Sequence, residues 1–99
     1  MADVEVEANV DAERVFYILD ADGQIVDLTS MTVRVALSYG GVRITETATV
    51  SDATSGEVTH TFRLTGVGDY TLRFLVVNQG VVTRYPDGAP LTLRVWETI

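Results

Sequence analysis

His60 is the one imidazole among 99 residues, so acyl-transfer or hydrolytic chemistry of the usual kind would have to pass through it. A hydroxyl nucleophile needs a base beside it, and no serine here lies in a Gly-x-Ser-x-Gly elbow. His60 is also in phase with Val58 and Phe62 in an alternating run, which predicts a histidine of the core or its edge. The carboxylates fall in turns and on outward faces, with no recognisable acid–base pair among them. Asp20-Ala-Asp22-Gly23 looks like the opening of a calcium loop, but the later ligands and the distal glutamate are missing. Asp27 follows too soon, on what reads as a strand. The same four residues are good turn chemistry, because aspartate caps its own turn backbone. Without cysteine, and with a single histidine, no transition-metal donor set exists. The expectation is a chain with no catalytic site, metal or cofactor.

Arginine remains as the residue type with something to do. All seven bases are arginine, whose planar five-donor fork suits pairing at protein interfaces. Arg34, Arg63, Arg73 and Arg94 take outward positions; Leu75 and Val77 share the face of Arg73, and Trp96 shares that of Arg94. Apolar side chains beside arginines on a solvated face predict a contact patch of Arg34, Arg73, Leu75, Val77, Arg94 and Trp96. Two other readings stand beside it. The N-terminal segment or a loop covers the apolar residues while the arginines pair across the ladder, or a bare strand edge pairs with another subunit.

Alternation with period two supplies the scaffold for these residues. Met31, Val33, Val35, Leu37 and Tyr39 share one face of a run; Val58, His60, Phe62 and Leu64 share another; Tyr70, Leu72, Phe74 and Val76 a third; Leu91, Leu93 and Val95 a fourth. Turn residues separate the runs at Asp20–Gly23, Gly40-Gly41, Ser51–Gly56, Thr65–Gly68, Asn78–Gly80 and Pro86–Gly88, with Pro90 at a strand start. Seven to eight short strands in one domain of residues 1–99 predict an all-β fold, an immunoglobulin-like antiparallel β-sandwich. Residues 1–12 read as an acidic edge strand or as an arm that orders on assembly. Five of the fourteen acids lie in the first thirteen residues, and the net charge is −7, which repels phosphate backbones and excludes nucleic acid as a partner. The start lacks the apolar core of a signal peptide, and no apolar run is long enough to span a bilayer. A soluble protein with no membrane partner is expected.

The order of motifs adds a resemblance. Asp20-Ala-Asp-Gly-Gln-Ile-Val-Asp-Leu-Thr29 is followed by Thr32-Val-Arg-Val35 and by Val50-Ser-Asp-Ala-Thr-Ser-Gly-Glu-Val-Thr-His-Thr-Phe62. Gly68-Asp-Tyr-Thr-Leu-Arg-Phe74 comes next, then Tyr85-Pro-Asp-Gly88 with Leu91-Thr-Leu-Arg-Val95. Over residues 14 to 96 this resembles the N-terminal immunoglobulin-like domain of bacteriophage baseplate upper proteins, also seen in other tail and fibre proteins. The resemblance implies a non-enzymatic virion protein, soluble in the host cytoplasm before assembly, that docks other virion proteins and self-associates within the particle. Two alternatives are a stand-alone extracellular module for a glycan or protein ligand, and a capsid decoration or head–tail joining protein.

Overall fold

Two sheets close face to face over the alternating apolar residues. The computed structural model describes residues 2–97, and the strands are β1 (Val4–Glu7), β2 (Ala12–Tyr17), β3 (Thr32–Tyr39), β4 (Val42–Thr47), β5 (Thr49–Asp52), β6 (Glu57–Phe62), β7 (Gly68–Asn78), β8 (Val81–Tyr85) and β9 (Leu91–Trp96). The larger sheet has the order β1-β9-β7-β3-β4, with β8 also on β7; the smaller is β2-β6-β5. Val33, Val35 and Leu37 of β3, Leu72 and Phe74 of β7, and Leu93 and Val95 of β9 point inward against Val58 and Phe62 of β6. Full burial of each such side chain contributes about 1.5–3 kcal/mol. Phe16 stands edge-on to Phe62 at 6.1 Å and lies 5.0 Å from Phe74, so one aromatic side chain ties β2 to both sheets.

Nine strands among the described residues replace the seven to eight expected, for two reasons. The run from Val42 to Asp52 is divided at Ala48, which is buried and donates its N–H to Val33 O at 2.9 Å; β4 stays in the larger sheet while β5 joins the smaller. The C-terminal hairpin is divided too. β7 spans eleven residues, and β8 and β9 lie along its one edge, pairing with its last and first halves. Asp27 is not on a strand. Its Oδ1 accepts from the N–H and Oγ1 of Thr29 at 2.9 and 2.6 Å, and these bonds hold its carboxyl below the usual range.

Within the acidic N-terminal segment, β1 lies at the edge of the larger sheet. β1 pairs with β9 in parallel, the exception to the antiparallel pattern, with Val4 opposite Leu93 and Val6 opposite Val95. Asp3 fastens its start: its N–H reaches Thr92 O at 2.9 Å and its Oδ2 accepts the Thr92 N–H at 2.8 Å.

A second local device braces the other end of the sandwich. Tyr70, near the start of β7, is buried and donates its hydroxyl to Gly66 O at 2.9 Å. Its ring stacks on Tyr39 at 4.6 Å, and Tyr39 donates to Val67 O at 2.9 Å. The loop before β7 is thus held by two phenols. Burial pushes the Tyr70 hydroxyl pKa upward, which keeps it a donor.

His60 is buried, as its phase predicts, with its ring edge-on to Phe62 at 4.8 Å. Its Nε2 lies 2.8 Å from Glu46 Oε1, a contact between β6 of the smaller sheet and β4 of the larger. Glu46→Ala leaves that imidazole nitrogen buried without its partner and is expected to cost about 1–3 kcal/mol, with Glu46→Gln costing less because the amide oxygen still accepts. Urea unfolding of the two variants checks this.

Candidate interaction surface

The outer face of the larger sheet collects most of the residues singled out in the sequence. Register sets Arg34 of β3 beside Leu75 of β7, and Leu75 beside Arg84 of β8. One residue pair further along the strands, Thr32, Val77 and Val82 form the neighbouring row. Arg73 lies beside Ala36, and Arg43 of β4 beside Ser38. The result is an apolar strip, Leu75, Val77 and Val82, flanked by four arginines. A shallow groove of about 210 Å³ runs through it, with Ser38, Thr45 and Thr71 among its walls.

The four arginines at this end of the face are not paired with carboxylates among the described residues. Arg73 donates Nη1 to Pro86 O, which points its side chain toward the β8–β9 loop. Arg34, Arg43 and Arg84 make no ion pair among the described residues. Four positive charges therefore gather on one face of a chain whose net charge is −7.

Arg94 and Trp96 lie on the same outer face but at its other end. Arg94 donates Nε to Asp69 Oδ1 at 3.0 Å, and its Nη1 is 4.0 Å from Glu5 Oε1; here the expected cross-ladder pairing is present. Arg63 likewise pairs off, one residue beyond β6, with Asp11 at 3.0 Å. Trp96 is 43% exposed, beside Glu7 of β1. Because Asp69 is opposite Arg94 in the β7–β9 ladder, Trp96 is level with position 67, about 26 Å along the strand from Leu75 at 3.3 Å per residue. Leu75, Val77 and Trp96 are thus not one patch within the chain. Arg43, Arg84 and Val82 complete the basic end and were not among the residues expected from sequence. The tight Gln79-Gly80 turn carries a usable signal for two of them, since a two-residue hairpin fixes Val82 on Val77 and Arg84 on Leu75.

The other surfaces offer less. Val15, Tyr17, Leu19 and Ile25 are exposed on the side of the smaller sheet. The free edge of β2 is overlaid by Arg14, which donates to Glu13 O and Glu5 O at 2.9 and 3.0 Å, the kind of charged cover that discourages strand addition. Asp20 Oδ1 accepts the N–H groups of Asp22 and Gln24, both at 2.9 Å. Its oxygen serves the turn, and no group of three or more metal-ligating side chains occurs among the described residues.

Three strands facing a larger sheet of this order, with a tyrosine corner at the entry to β7, define an immunoglobulin-like β-sandwich. No protein-family model and no curated protein matches the chain. Among solved structures it is similar to a putative glycoside hydrolase from Bacteroides vulgatus ATCC 8482, with a TM-score of 0.53 and 11% identity. The match covers 97% of this chain and 17% of that one. At such identity the likeness is one of fold.

Proposed function

We propose that this chain is a non-enzymatic structural module of a bacteriophage virion. It docks onto a neighbouring subunit of the tail, baseplate or neck through the outer face of its larger sheet. Support comes from how the resembling motifs are used. Asp20, Asp27, Gly56, Tyr70 and Pro86 sit in turns, caps and the tyrosine corner. Those residues maintain the sandwich, so what distinguishes the molecule must be carried on its surface. The observation that carries the reading is the strip of Leu75, Val77 and Val82 between Arg34, Arg73 and Arg84, since the core of a contact surface is more apolar than the rest of the surface and arginine is enriched there.

A glycan site would call for an aromatic platform, and the tyrosines are otherwise engaged. Tyr39 and Tyr70 stack on each other, Tyr85 is half-buried, and Tyr17 donates to Glu57 Oε2 at 3.2 Å.

The test is a pull-down from lysate of the encoding strain after prophage induction, with wild type and Arg34→Glu/Arg84→Glu as parallel baits. Wild type is expected to recover tail, baseplate or neck proteins, and the double variant to lose them by at least about tenfold, because rim charge reversal opposes association. Recovery of envelope components instead, or equal recovery by both baits, contradicts the reading.

A further inference from the structure

We infer that the outer face of the larger sheet is self-complementary, and that its occupant is a second copy of this chain related by a two-fold axis lying in the plane of contact. This rests on the docking reading of that face and names the docked subunit.

The face carries two charge groups of opposite sign. At one end are Arg34, Arg43, Arg73 and Arg84, with no acid in the rows that join them. At the other are Asp3, Glu5 and Glu7 along β1 and Asp69 on β7, around Arg94. Strand spacings of about 4.8 Å across and 3.3 Å along put the two groups roughly 15–20 Å apart. That exceeds the Debye length of about 8 Å at physiological salt, so neither end neutralises the other within one chain.

A two-fold axis in the plane of the face, running across the strands between the two groups, reverses the second copy end for end. The basic end of each copy then lies over the acidic end of the other, and the complementarity is satisfied twice, as an isologous contact requires. The same operation carries Trp96 of one copy toward the strip of Leu75, Val77 and Val82 on the second. Apolar residues far apart within the chain become one desolvated cluster between two chains. The face is also large enough. The molecule measures 42 × 24 × 24 Å, so its long side offers on the order of 1,000 Å², against the roughly 800 Å² per partner of a standard stable interface.

Sedimentation velocity over a concentration series, at low salt and again at about 0.5 M salt, tests this. Wild type is expected to show a concentration-dependent dimer at low salt, weakened by at least about tenfold at high salt because the charges at the rim are screened. Arg34→Glu/Arg84→Glu leaves the basic end without net charge, because Arg43 and Arg73 remain, and Glu5→Arg/Asp69→Arg removes the negative charge of the acidic end. Each is expected to be monomeric alone, and a mixture of the two to dimerise again. Thermal melts confirm that each variant is folded. A wild-type chain monomeric under all these conditions overturns the inference, as does a mixture that fails to associate or a dimer broken by Val15→Ser/Tyr17→Ser instead. The two readings fail separately. A monomer that still recovers virion proteins through this face refutes only the second copy, whereas a dimer that recovers none refutes only the virion role.

Discussion

Phe62→Ala is expected to remove about 3–5 kcal/mol of stability, the range for deleting a buried phenylalanine. Phe62 is 0% exposed, on the middle strand of the smaller sheet, where it meets Phe16 and His60. A domain of this size has only about 5–15 kcal/mol in total. At about 4–8 °C per kcal/mol, the midpoint should fall by roughly 12–40 °C, and scanning calorimetry measures it. Tyr17→Ala is the contrast. Its ring is 59% exposed on the adjacent strand, and its loss should stay within about 0.5 kcal/mol. Similar losses for both variants would mean that the sheets do not pack through Phe62.

Gly56→Ala is expected to cost about 2–4 kcal/mol. Two effects combine. Gly56 has φ +65°, where a side chain costs about 1–2 kcal/mol. A Cβ there would also sit 2.8 Å from Val26 O and 3.1 Å from Ile18 O. Both are backbone atoms in a bonded cluster, since Ile18 donates to Gly56 O at 2.9 Å and Val26 to Ile18 O at 3.0 Å. Neither can yield without breaking the seam that holds the end of β2 over the loop before β6. Gly88→Ala, with open space around the added carbon, should lie within about 0.5 kcal/mol. Equilibrium urea unfolding of both variants gives the comparison, and equal midpoints would contradict this account of Gly56.

The inward faces of β3, β6, β7 and β9 are legible in the sequence because each side chain's neighbours repeat at period two and one face is fully apolar. Hairpins at Gly40-Gly41 and Gln79-Gly80 are legible for the same local reason. Sheet membership is not. Nothing within Val42–Asp52 marks Ala48 as the point where the chain changes sheets, because the alternation continues through it; the crossing shows only in the pairing, where Ala48 still bonds Val33 O of the larger sheet and Thr49 is already opposite Thr59 of β6. Nor does alternation tell which strands lie side by side. Arg34, Arg73, Leu75, Val77, Arg94 and Trp96 take outward positions in their own strands, yet how they group depends on registers between residues far apart in the chain, that of β7 with β9 above all. That register separates Trp96 from Leu75, while the β3–β4 and β7–β8 pairings bring in Arg43 and Arg84. The tyrosine corner is legible in part. Gly66-x-Gly68-x-Tyr70 spaces a phenol four residues from the carbonyl it meets, while Tyr39, its stacking partner, comes from another strand.

The central claim, that this sandwich is a structural part of a virion, is tested most directly by mass spectrometry of density-gradient-purified particles from the induced encoding strain. The account predicts peptides of this chain co-purifying with tail proteins at a fixed ratio across the particle peak. Peptides confined to the soluble fractions, with particles present and free of them, would contradict it.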